Sequence, residues 1–303
     1  MFSQVQLRYF VTVSEEGQIT RAAKRLHIAQ PALSQALAQL EAELEIVLFV
    51  RHPRGVTLTP AGEAFLVKAR AALAAEAETV QLALSLRRAA NGAVVVGFVG
   101  PPPAISMPEL FSAFAEERPE ARVAFQDLSF PCGDTSAWLA NVDVAVCHMP
   151  SVAGEGVSVQ PVRVEPRALL VHREHALAQH AELDVADALE ATFVGYHPDV
   201  QEAWAGFHCL DDHRGEPPAH LTEDHALTTL QMAGIMSTPR AITSVPYADA
   251  KLAAQLLPDI RAIPLKDAAP AVVALVWRQD TRNQLVDDLA ALARSLAPSD
   301  DEL

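Results

Sequence analysis

The sequence lacks several features that would have defined its class at once. It has only three cysteines, Cys132, Cys147 and Cys209, in 303 residues, too few and too scattered for a disulfide framework. It contains no uninterrupted apolar run of roughly 18 residues, so it predicts no membrane span. The opening stretch MFSQVQLRYF lacks the basic and long apolar regions of a signal peptide. We therefore expect a cytoplasmic protein that does not contact a membrane.

Basic charge is also scarce, and it is unevenly distributed. The whole chain has a formal net charge of -15, which argues against a protein that coats nucleic acid over its whole surface. Residues 1–90 nevertheless hold 10 lysines and arginines against 8 aspartates and glutamates, whereas the remainder holds 13 against 30. Any contact with nucleic acid is therefore expected within the first 90 residues. Half of the residues are apolar, so the chain can bury sizeable cores in two or three domains.

The beginning of the chain predicts three helices with a helix-turn-helix among them. Apolar residues recur at helical spacing over residues 4–14, and Gly17 ends that helix. The stretch ITRAAKRLHI predicts a short second helix, and HIAQP predicts the turn after it. Pro31 suits the first turn of a third helix that runs to about Leu44, because its missing N–H is not needed there.

A β-ribbon and a long helix follow. LFVRHPRGVTLTP predicts two short strands around a turn at His52–Gly55, and Pro60 opens a helix that runs to about Ala89. The long helix carries an apolar stripe in steps of three and four residues, which favours a dimer seam like that of a coiled coil. The alternative is a helix packed on its own domain, although residues 1–60 offer little surface to cover the stripe. The stripe consists of Leu66, Ala69, Leu73, Ala77, Val80 and Leu84.

One face of the third helix has an unusual composition. In QPALSQALAQLE, residues 30–41, Leu33, Leu37 and Leu40 share one face, while the opposite face holds amide and small side chains without a charge. The second helix of a helix-turn-helix enters the major groove of DNA, where its early residues reach base edges. An amide offers a donor and an acceptor together, so Gln35 suits adenine, whereas a carboxylate would repel phosphate. We predict binding to double-stranded DNA through Gln30, Pro31, Ser34, Gln35 and Gln39.

Basic side chains accompany this face. Arg21, Lys24 and Arg25 fall on the first helix of the motif, and Arg51 and Arg54 flank the turn of the ribbon. Such a set alone is most often an ordinary solvated surface. Beside a helix-turn-helix, however, these cations are placed to contact phosphates or the minor groove. Five such contacts would make DNA binding strongly dependent on salt.

The segment ITRAAKRLHIAQPALSQALAQLEAELEIVLFVRHPRGVTLTPAGE resembles the winged helix-turn-helix signature of LysR-type transcriptional regulators. The paired alanines before a leucine, the QPALS turn and the LFVR and LTPAG stretches follow in the family's order without a gap. Later stretches, LFSAFAEERPEARV, VDVAV and REHALA, are similar to parts of the family's effector domain. The resemblance implies a transcription regulator that forms a homodimer or homotetramer, responds to a small-molecule effector and carries no cofactor.

Four positions depart from the family's pattern. Ala29 stands where Ser or Thr is frequent, so the third helix is expected to lack an N-cap worth ~1 kcal/mol. Gln18 replaces a common Ser, and Ala36 occupies a position often held by an arginine. Glu45 replaces a frequent Gly at a helix end, which predicts a left-handed residue there. These departures affect which DNA sequence is bound and leave the predicted function unchanged.

Beyond NGAV at 91–94, strands and helices alternate, which predicts an α/β protein with mostly parallel sheets. The resemblance implies a pair of α/β subdomains like those of periplasmic binding proteins, with the chain crossing between them near Val162–Pro166 and Pro264–Ala269. The predicted domains are a winged helix-turn-helix at 1–59, a dimerisation linker helix at 60–90 and an effector domain at 91–303. Within the effector domain, subdomain I comprises 91–162 and 268–298, and subdomain II comprises 163–267.

A small effector is expected in the cleft between the subdomains, near strand ends and helix N-termini. The loop GPPPAI follows the first strand of this half, and its three prolines remove N–H donors from a loop that usually cradles an anion. The ligand is therefore expected to be more apolar or less acidic than is usual in the family. Glu223–His225 are expected to begin a helix. The candidate contacts, each of which alone is more often a packing residue, are Gly100, Pro101, Pro102, Ser129, Phe130, His148, Tyr196, Trp204, His225 and Ser244.

Other functions have weaker support. Metal sensing would use the histidines of HREH, 172–175, or HCLDDH, 208–213, although the latter lacks a second strong ligand pair. Redox-sensing regulators of the family that the sequence resembles carry two close cysteines in the second subdomain, whereas this sequence has only Cys209 there, and a buried thiol is the plainer interpretation. The sequence contains no G-x-S-x-G, P-loop or H-E-x-x-H motif, so we expect no enzyme and no metal site. A DNA-bridging protein without a ligand would have a filled effector half.

Overall fold

The computed structural model describes residues 2–149, 154 and 156–296. The chain divides into two compact units, Met1–Val80 and Gln81–Leu303. The predicted end of subdomain I at residue 298 lies outside the described residues. Among the residues that are described, no helix is both long enough and apolar enough to cross a bilayer.

The first unit contains the predicted helix-turn-helix, β-ribbon and long helix. The two strands pair antiparallel, with Phe49 opposite Leu58 and His52 opposite Gly55. The sequence-based prediction of these elements is confirmed to within a few residues at each end. They are α1 (Gln4–Glu16), α2 (Ile19–Arg25), α3 (Gln30–Leu44), β1 (Phe49–His52), β2 (Gly55–Leu58) and α4 (Pro60–Ala90), whose last turns belong to the second unit.

The ends of these helices follow from local side-chain chemistry. The Ser3 hydroxyl accepts a hydrogen bond from the N–H of Gln6, and the Gln6 side chain accepts one from the N–H of Ser3, which starts α1. Gly17 ends α1 in the left-handed region at φ 62°. At α3, Ala29 provides no side-chain cap, and Glu45 ends the helix with φ 54°. The two unfavourable ends predicted for α3 are therefore confirmed.

The core of the first unit covers the beginning of α4. Ala69 is buried in this core, and Leu66 and Leu73 pack against it. Further along the same stripe, Ala77 and Val80 are exposed. The expectation that residues 1–60 leave the stripe uncovered is thus wrong for its first half, because α1 and α3 already present an apolar surface there. That surface includes Phe10, Leu33, Leu37 and Leu40.

Within its described residues, the second unit contains ten strands in two sheets. The strands are β3 (Ala93–Phe98), β4 (Arg122–Asp127), β5 (Val144–Met149), β6 (Val157–Glu165), β7 (Arg167–His172), β8 (Phe193–Tyr196), β9 (Leu221–Ala226), β10 (Ile242–Pro246), β11 (Ile260–Pro264) and β12 (Ala271–Arg278). The first sheet has the order β4-β3-β5-β12-β6, and the second has the order β11-β7-β10-β8-β9. The helices are α5 (Pro103–Ser106), α6 (Pro108–Glu117), α7 (Thr135–Trp138), α8 (Glu202–Cys209), α9 (Asp211–Arg214), α10 (Thr229–Met236), α11 (Tyr247–Leu256) and α12 (Gln284–Leu296).

Both sheets are mixed and not mostly parallel. In the first sheet, β3 is parallel to β4 and β5, whereas β12 is antiparallel to β5 and β6. In the second sheet, β8 is parallel to β9 and β10, whereas β7 is antiparallel to β10 and β11. The prediction of mostly parallel sheets is wrong for the strands next to the two connections where the chain passes from one sheet to the other. The chain passes directly from β6 to β7 and from β11 to β12, and each of these connections joins one sheet to the other. The flanking strands therefore do not enter their sheets through the helical crossover that would return them parallel within one sheet.

The chain crosses between the two sheets at two short connections. β6 pairs with β12 as far as Glu165, so the first crossing lies at Pro166, at the end of the predicted stretch Val162–Pro166 and beyond the subdomain boundary placed after Val162. The second crossing occupies residues 265–270, which include the predicted boundary at 267. Phe130 and Trp204, which lie on opposite sides of the crossings, share one continuous buried cluster. The facing sides of the two subdomains therefore enclose a common interior.

Asp143 fixes the last turns of α4 to the first sheet. Its side chain is fully buried, and its carboxylate accepts hydrogen bonds from the Ser85 hydroxyl at 2.8 Å and from Arg88 at 2.8 and 2.9 Å. It also accepts the backbone N–H of Val95, in β3, at 2.9 Å. One buried charge thus ties a helix end to a strand, and every donor is satisfied by a direct contact.

Candidate nucleic-acid interface and effector cleft

The exposed face of α3 carries the amide side chains that the sequence predicts. Gln30, Pro31, Gln35 and Gln39 are exposed, and Ser34 is half-buried. The leucines of the opposite face are completely or almost completely buried, which fixes the rotation of the helix. The helix therefore presents uncharged donors and acceptors outward over its first ten residues.

Acidic residues occupy the second half of α3. Glu41 turns inward, where its Oε1 accepts the N–H groups of Leu48 and Phe49 at 2.7 and 3.0 Å before β1. Glu43 is exposed, and its Oε1 accepts a hydrogen bond from Gln39 Nε2 at 3.2 Å. Because an exposed carboxylate repels phosphate, the part of α3 suited to a DNA groove ends near Gln39.

The ribbon of β1 and β2 places two arginines beside this face. Arg51 is exposed on β1, and its Nη1 lies 3.5 Å from Ser34 Oγ of α3. Arg54 is exposed in the turn, and its carbonyl accepts a hydrogen bond from Gln18 Nε2 at 2.9 Å. Gln18, which departs from the family's pattern, thus holds the ribbon to the start of α2. A Cβ at Gly55 would collide with the carbonyl oxygen of Gly17, so a larger residue cannot replace it without a shift.

The cations of α2 and the ribbon differ in their partners. Arg21 pairs with Glu16, and Arg25 pairs with both Glu15 and Glu16 at 3.0 and 3.2 Å. These acids offset part of the positive charge that the sequence predicted for α2. Within the described residues, no carboxylate pairs with the three remaining cations of the set. They are Lys24, Arg51 and Arg54.

A cavity of about 290 Å³ lies between the two sheets of the second unit. The loop after β3, with Gly100 and the prolines that follow, forms one wall, and α8, α10 and α11 form others. Trp204 and His208 project into it from successive turns of α8, four residues apart on one helix face. The predicted cleft is therefore present and is lined mainly by apolar and aromatic side chains.

Aromatic rings pack closely behind the cavity. The His148 ring lies 4.0 Å from the Trp204 ring and 4.1 Å from the Phe207 ring, measured between centroids. His208 Nδ1 lies 2.6 Å from the backbone oxygen of Ser244. Burial lowers the pKa of His208 to about 3 and lowers the pKa of His148 well below its ordinary value. Both imidazoles are therefore neutral at physiological pH.

Arg167 lies nearby but is fully engaged. It is 1% exposed, and its Nη1 lies 2.7 Å from Asp212. Its Nε donates to Ser244 Oγ at 3.0 Å, and its Nη2 donates to the carbonyl oxygen of Phe207. Its guanidinium also stacks over the Phe207 ring at 4.0 Å. Loss of these partners would leave a buried charge uncompensated, so Arg167 has little hydrogen-bonding capacity left for a ligand.

A second, wider depression of about 660 Å³ lies beside Arg167 on the outer side of α8. Glu202, Asp211, Asp212 and Glu216 line it. Burial raises the pKa of Asp211 to about 6. The larger volume reflects a broad acidic surface, and the smaller apolar cavity has the character of a ligand site.

The structure gathers six of the ten predicted effector contacts around the cavity between the sheets. These six are Gly100, Pro101, Pro102, Phe130, His148 and Trp204.

The other four predicted contacts lie elsewhere. Ser129 accepts the indole N–H of Trp138 with its backbone oxygen, and Tyr196 packs on Phe130 while its hydroxyl lies 3.1 Å from Thr243 Oγ1. Ser244 is completely buried against Arg167. His225 is exposed on β9, because residues 223–225 continue that strand and do not begin a helix. The helix begins only at Thr229.

Sequence reasoning missed several lining residues. From the sequence, His208 is considered only as a possible metal ligand. It lies four residues after Trp204, and this spacing places both side chains on one face of α8. Met232, Asp249 and Leu252 come from helices whose position against the cleft depends on the tertiary fold. No local pattern distinguishes such residues from ordinary helix-packing residues.

The histidines and cysteines considered for metal or redox sensing have structural contacts. His172 and His175 each accept a nearby backbone N–H with Nδ1 at 3.2 Å, and His213 accepts the N–H of Ala269. Burial raises the pKa of Cys209 to about 12, so this thiol is protonated. In the described ranges, no group of three or more histidines, cysteines or acids is arranged to hold a metal ion.

Comparisons with known proteins agree with this geometry. A family model described as "Bacterial regulatory helix-turn-helix protein, lysR family" matches residues 5–63, and a second, "LysR substrate binding domain", matches residues 87–298. The regulator BudR of Raoultella terrigena is 27% identical over 291 residues, which are 92% of this chain and 96% of BudR. The regulator TcbR of a Pseudomonas species is 30% identical over 253 residues, 80% of this chain and 85% of TcbR.

A solved structure has the same fold. The crystal structure of CbnR, a LysR family transcriptional regulator, aligns with 98% of this chain and 100% of CbnR at a TM-score of 0.58 and 24% identity. The substrate-domain match alone spans more than half of the chain. The chain therefore belongs to the LysR family and is a DNA-binding transcriptional regulator with an effector-binding domain.

Proposed function

We propose that this regulator reads its operator with the amide face of α3 and changes its DNA binding when a small molecule occupies the cavity between the two sheets. The observation that carries the first half is the uncharged, outward face of α3 beside the two exposed arginines of the ribbon. The contacts with bases or adjacent phosphates come from Gln30, Ser34, Gln35 and Gln39. Pro31 lets the first turn of α3 approach the DNA backbone. Arg51 and Arg54 follow the phosphates, with further support from Lys24 and Arg21.

The cavity is the effector site of this proposal. Its walls come from both subdomains, so a bound molecule favours one separation of the two sheets over another. A DNA-bridging protein without a ligand would need no such space. The regulator acts by binding and not by catalysis, and it works in the cytoplasm, where its DNA lies.

The regulator acts as a homodimer or homotetramer. Two α3 helices, one per subunit, enter successive major grooves of a partly palindromic site. The second half of the stripe on α4 supplies apolar surface for the dimer, since Ala77 and Val80 are exposed whereas Ala69 is buried in its own unit. The proposed linker helix at 60–90 therefore contributes to the dimer mainly through its later turns.

The DNA-reading role is tested with two single variants of the full-length protein. Bound duplexes are first selected from a randomised pool, and the affinity of each variant is then measured on the selected sequence and on its single-base changes. Gln35→Ala should relax preference at one base position, with a change of about 1–3 kcal/mol there. Arg54→Ala should weaken all duplexes alike and reduce the slope of log affinity against log salt by about 0.9. Equal weakening on every duplex by Gln35→Ala contradicts its base-reading role.

A further inference from the structure

The cavity between the two sheets contains buried polar atoms without a partner. Trp204 Nε1, His208 Nε2 and Thr229 Oγ1 have no hydrogen-bond partner in the described part of the chain. All three residues line the cavity, and Trp204 and His208 are only 1% and 4% exposed. A buried donor or acceptor that is left unpaired costs roughly 1–3 kcal/mol. The three lining residues therefore offer unpaired polar atoms that the polar group of a ligand could satisfy.

The hydrogen-bonding role of each ring atom is fixed by its surroundings. His208 Nδ1 lies 2.6 Å from the carbonyl oxygen of Ser244. A carbonyl oxygen can only accept, so Nδ1 carries the proton and Nε2 is left as an acceptor. Trp204 Nε1 is a donor only. The two rings lie 5.1 Å apart between centroids, so a single small polar group that offers both a donor and an acceptor suits the pair.

The charge of the cavity excludes an anionic group. Among the described residues, the lining of the cavity contains no lysine and no arginine. The acidic side chain in this lining is that of Asp249. Pro101 and Pro102 have no N–H to donate. Arg167 is held by Asp212 and Ser244 outside this lining. A carboxylate here would meet no lysine or arginine among the described lining residues and would lie near the acid Asp249.

We propose that the effector is a small, neutral alcohol or phenol whose hydroxyl accepts the N–H of Trp204 and donates its proton to His208 Nε2. This inference rests on the proposed use of the cavity as the effector site. An ammonium group has no lone pair to accept the N–H of Trp204, and a carboxylate has no proton to donate to His208 Nε2. Each of these groups therefore satisfies only one of the two ring atoms. Phe130, Met232 and Leu252 line the same space and cover the apolar body of the ligand. The volume of about 290 Å³ lies near the small end of ligand pockets.

Four probes of similar size separate the alternatives. Benzyl alcohol, toluene, benzoate and benzylamine are titrated into the full-length protein, with affinity measured by calorimetry. Benzyl alcohol should bind at least about ten-fold more tightly than each of the other three, because only it satisfies both ring atoms. Binding of toluene as tight as that of benzyl alcohol overturns the inference, since the hydroxyl would then contribute nothing. Tighter binding of benzoate or benzylamine overturns it as well and assigns the site to an acid or to an amine that pairs with Asp249.

A matched pair of variants assigns the preference to the indole N–H. Trp204→Phe keeps an aromatic ring but removes the donor, so it should lower the affinity for benzyl alcohol about ten-fold and leave that for toluene nearly unchanged. Trp138→Phe is the control, because the Trp138 indole donates to the backbone oxygen of Ser129 and does not line the cavity. Trp138→Phe should keep the preference for benzyl alcohol. An unchanged preference in a folded Trp204→Phe protein contradicts the proposal.

The same samples separate this inference from the proposed function. Binding to the selected duplex is measured before and after each probe is added. A protein that binds the duplex but none of the four probes overturns the alcohol assignment and leaves the DNA-reading role intact. Tight binding of benzoate that changes duplex affinity retains the effector cleft and rejects only the chemical class.

Discussion

At the scale of single residues, burial disfavours the charged form of both an acid and a base in the same cavity. The pKa of His208 falls to about 3 because burial disfavours the imidazolium. The pKa of Asp249 rises to about 7, first because burial disfavours the carboxylate and second because Glu165 adds a negative charge nearby. Near neutral pH the cavity therefore holds neutral imidazoles and a partly protonated acid, which agrees with a ligand that carries no charge.

Asp249 predicts how stability depends on pH. Its ordinary pKa is 3.8 and its folded pKa is about 7, so the folded protein binds more protons than the unfolded chain between these values, and stability falls as pH rises through them. Asp249→Asn should therefore raise the free energy of unfolding at pH 8 by roughly 1–3 kcal/mol and leave it nearly unchanged at pH 4. Thermal unfolding of the full-length protein at a series of pH values measures the difference.

The control for this prediction is Asp224→Asn, which changes an exposed acid on β9. It should shift the unfolding temperature equally little at both pH values. If Asp249→Asn raises the free energy of unfolding as much at pH 4 as at pH 8, the effect comes from packing and not from ionisation.

At the scale of elements, the C-terminal end of α3 has an unfavourable backbone conformation. Glu45 adopts a left-handed conformation with φ 54° and ψ 29°, which costs a residue with a Cβ about 1 kcal/mol. Its side chain is exposed, so little is lost by removing it. Glu45→Gly should slow amide hydrogen exchange over the last turns of α3 about two- to five-fold in the full-length protein, which corresponds to a gain of roughly 0.5–1 kcal/mol.

Ala42→Gly provides the opposite control within the same helix. Ala42 is also exposed but lies inside α3, where glycine costs roughly 0.5–1 kcal/mol of backbone entropy. Exchange over the same turns should become faster in this variant. If both glycines accelerate exchange, the left-handed residue is not the source of instability.

The elements also explain which parts of this protein the sequence predicts well. The helix α3 is predictable because the period of Leu33, Leu37 and Leu40 and the departures at Ala29 and Glu45 are local properties of the chain. The strand β9 is not, because LTEDHA has no apolar alternation and is set by pairing with β8. The cleft falls between these cases. Trp204 could be proposed as an aromatic residue that follows a predicted strand end, whereas the role of His208 depends on a carbonyl oxygen 36 residues away in sequence.

At the scale of the whole molecule, the charge is divided according to function. Residues 91–303 hold 13 basic and 30 acidic residues, so this part of the chain carries a net charge of -17, and the acids around Arg167 make one of its surfaces strongly acidic. Such a surface repels the DNA backbone, so nonspecific contact with the effector half is disfavoured. The first 90 residues have a small positive excess, which is consistent with the proposed contact of Lys24, Arg51 and Arg54 with the duplex.

The proposed coupling between ligand and DNA has a physical route at the end of α4. Asp143 joins Ser85 and Arg88 of that helix to Val95 of β3, and β3 leads into the Gly100 loop that lines the cavity. A ligand that moves this loop acts on a strand that is bonded to the helix end. A chain of buried hydrogen bonds is well suited to transmit this movement from the loop to the helix end, because each bonded group has few alternative partners.

Reciprocity makes this route testable. If a ligand changes the affinity for the selected duplex by some factor, the duplex must change the affinity for the ligand by the same factor, typically about 5- to 150-fold. Both factors are measured with benzyl alcohol, or with whichever of the four probes binds most tightly, at one fixed salt concentration. The contact between Ser85 and Asp143 is tested by a variant. Ser85→Ala removes one of the hydrogen bonds to Asp143 and should reduce both coupling factors at least about two-fold. Thr79→Ala, at an exposed hydroxyl of α4 that bonds only to Ala75 within the described chain, should leave them unchanged. Equal factors in the two variants would mean that coupling does not pass through the contact between Ser85 and Asp143.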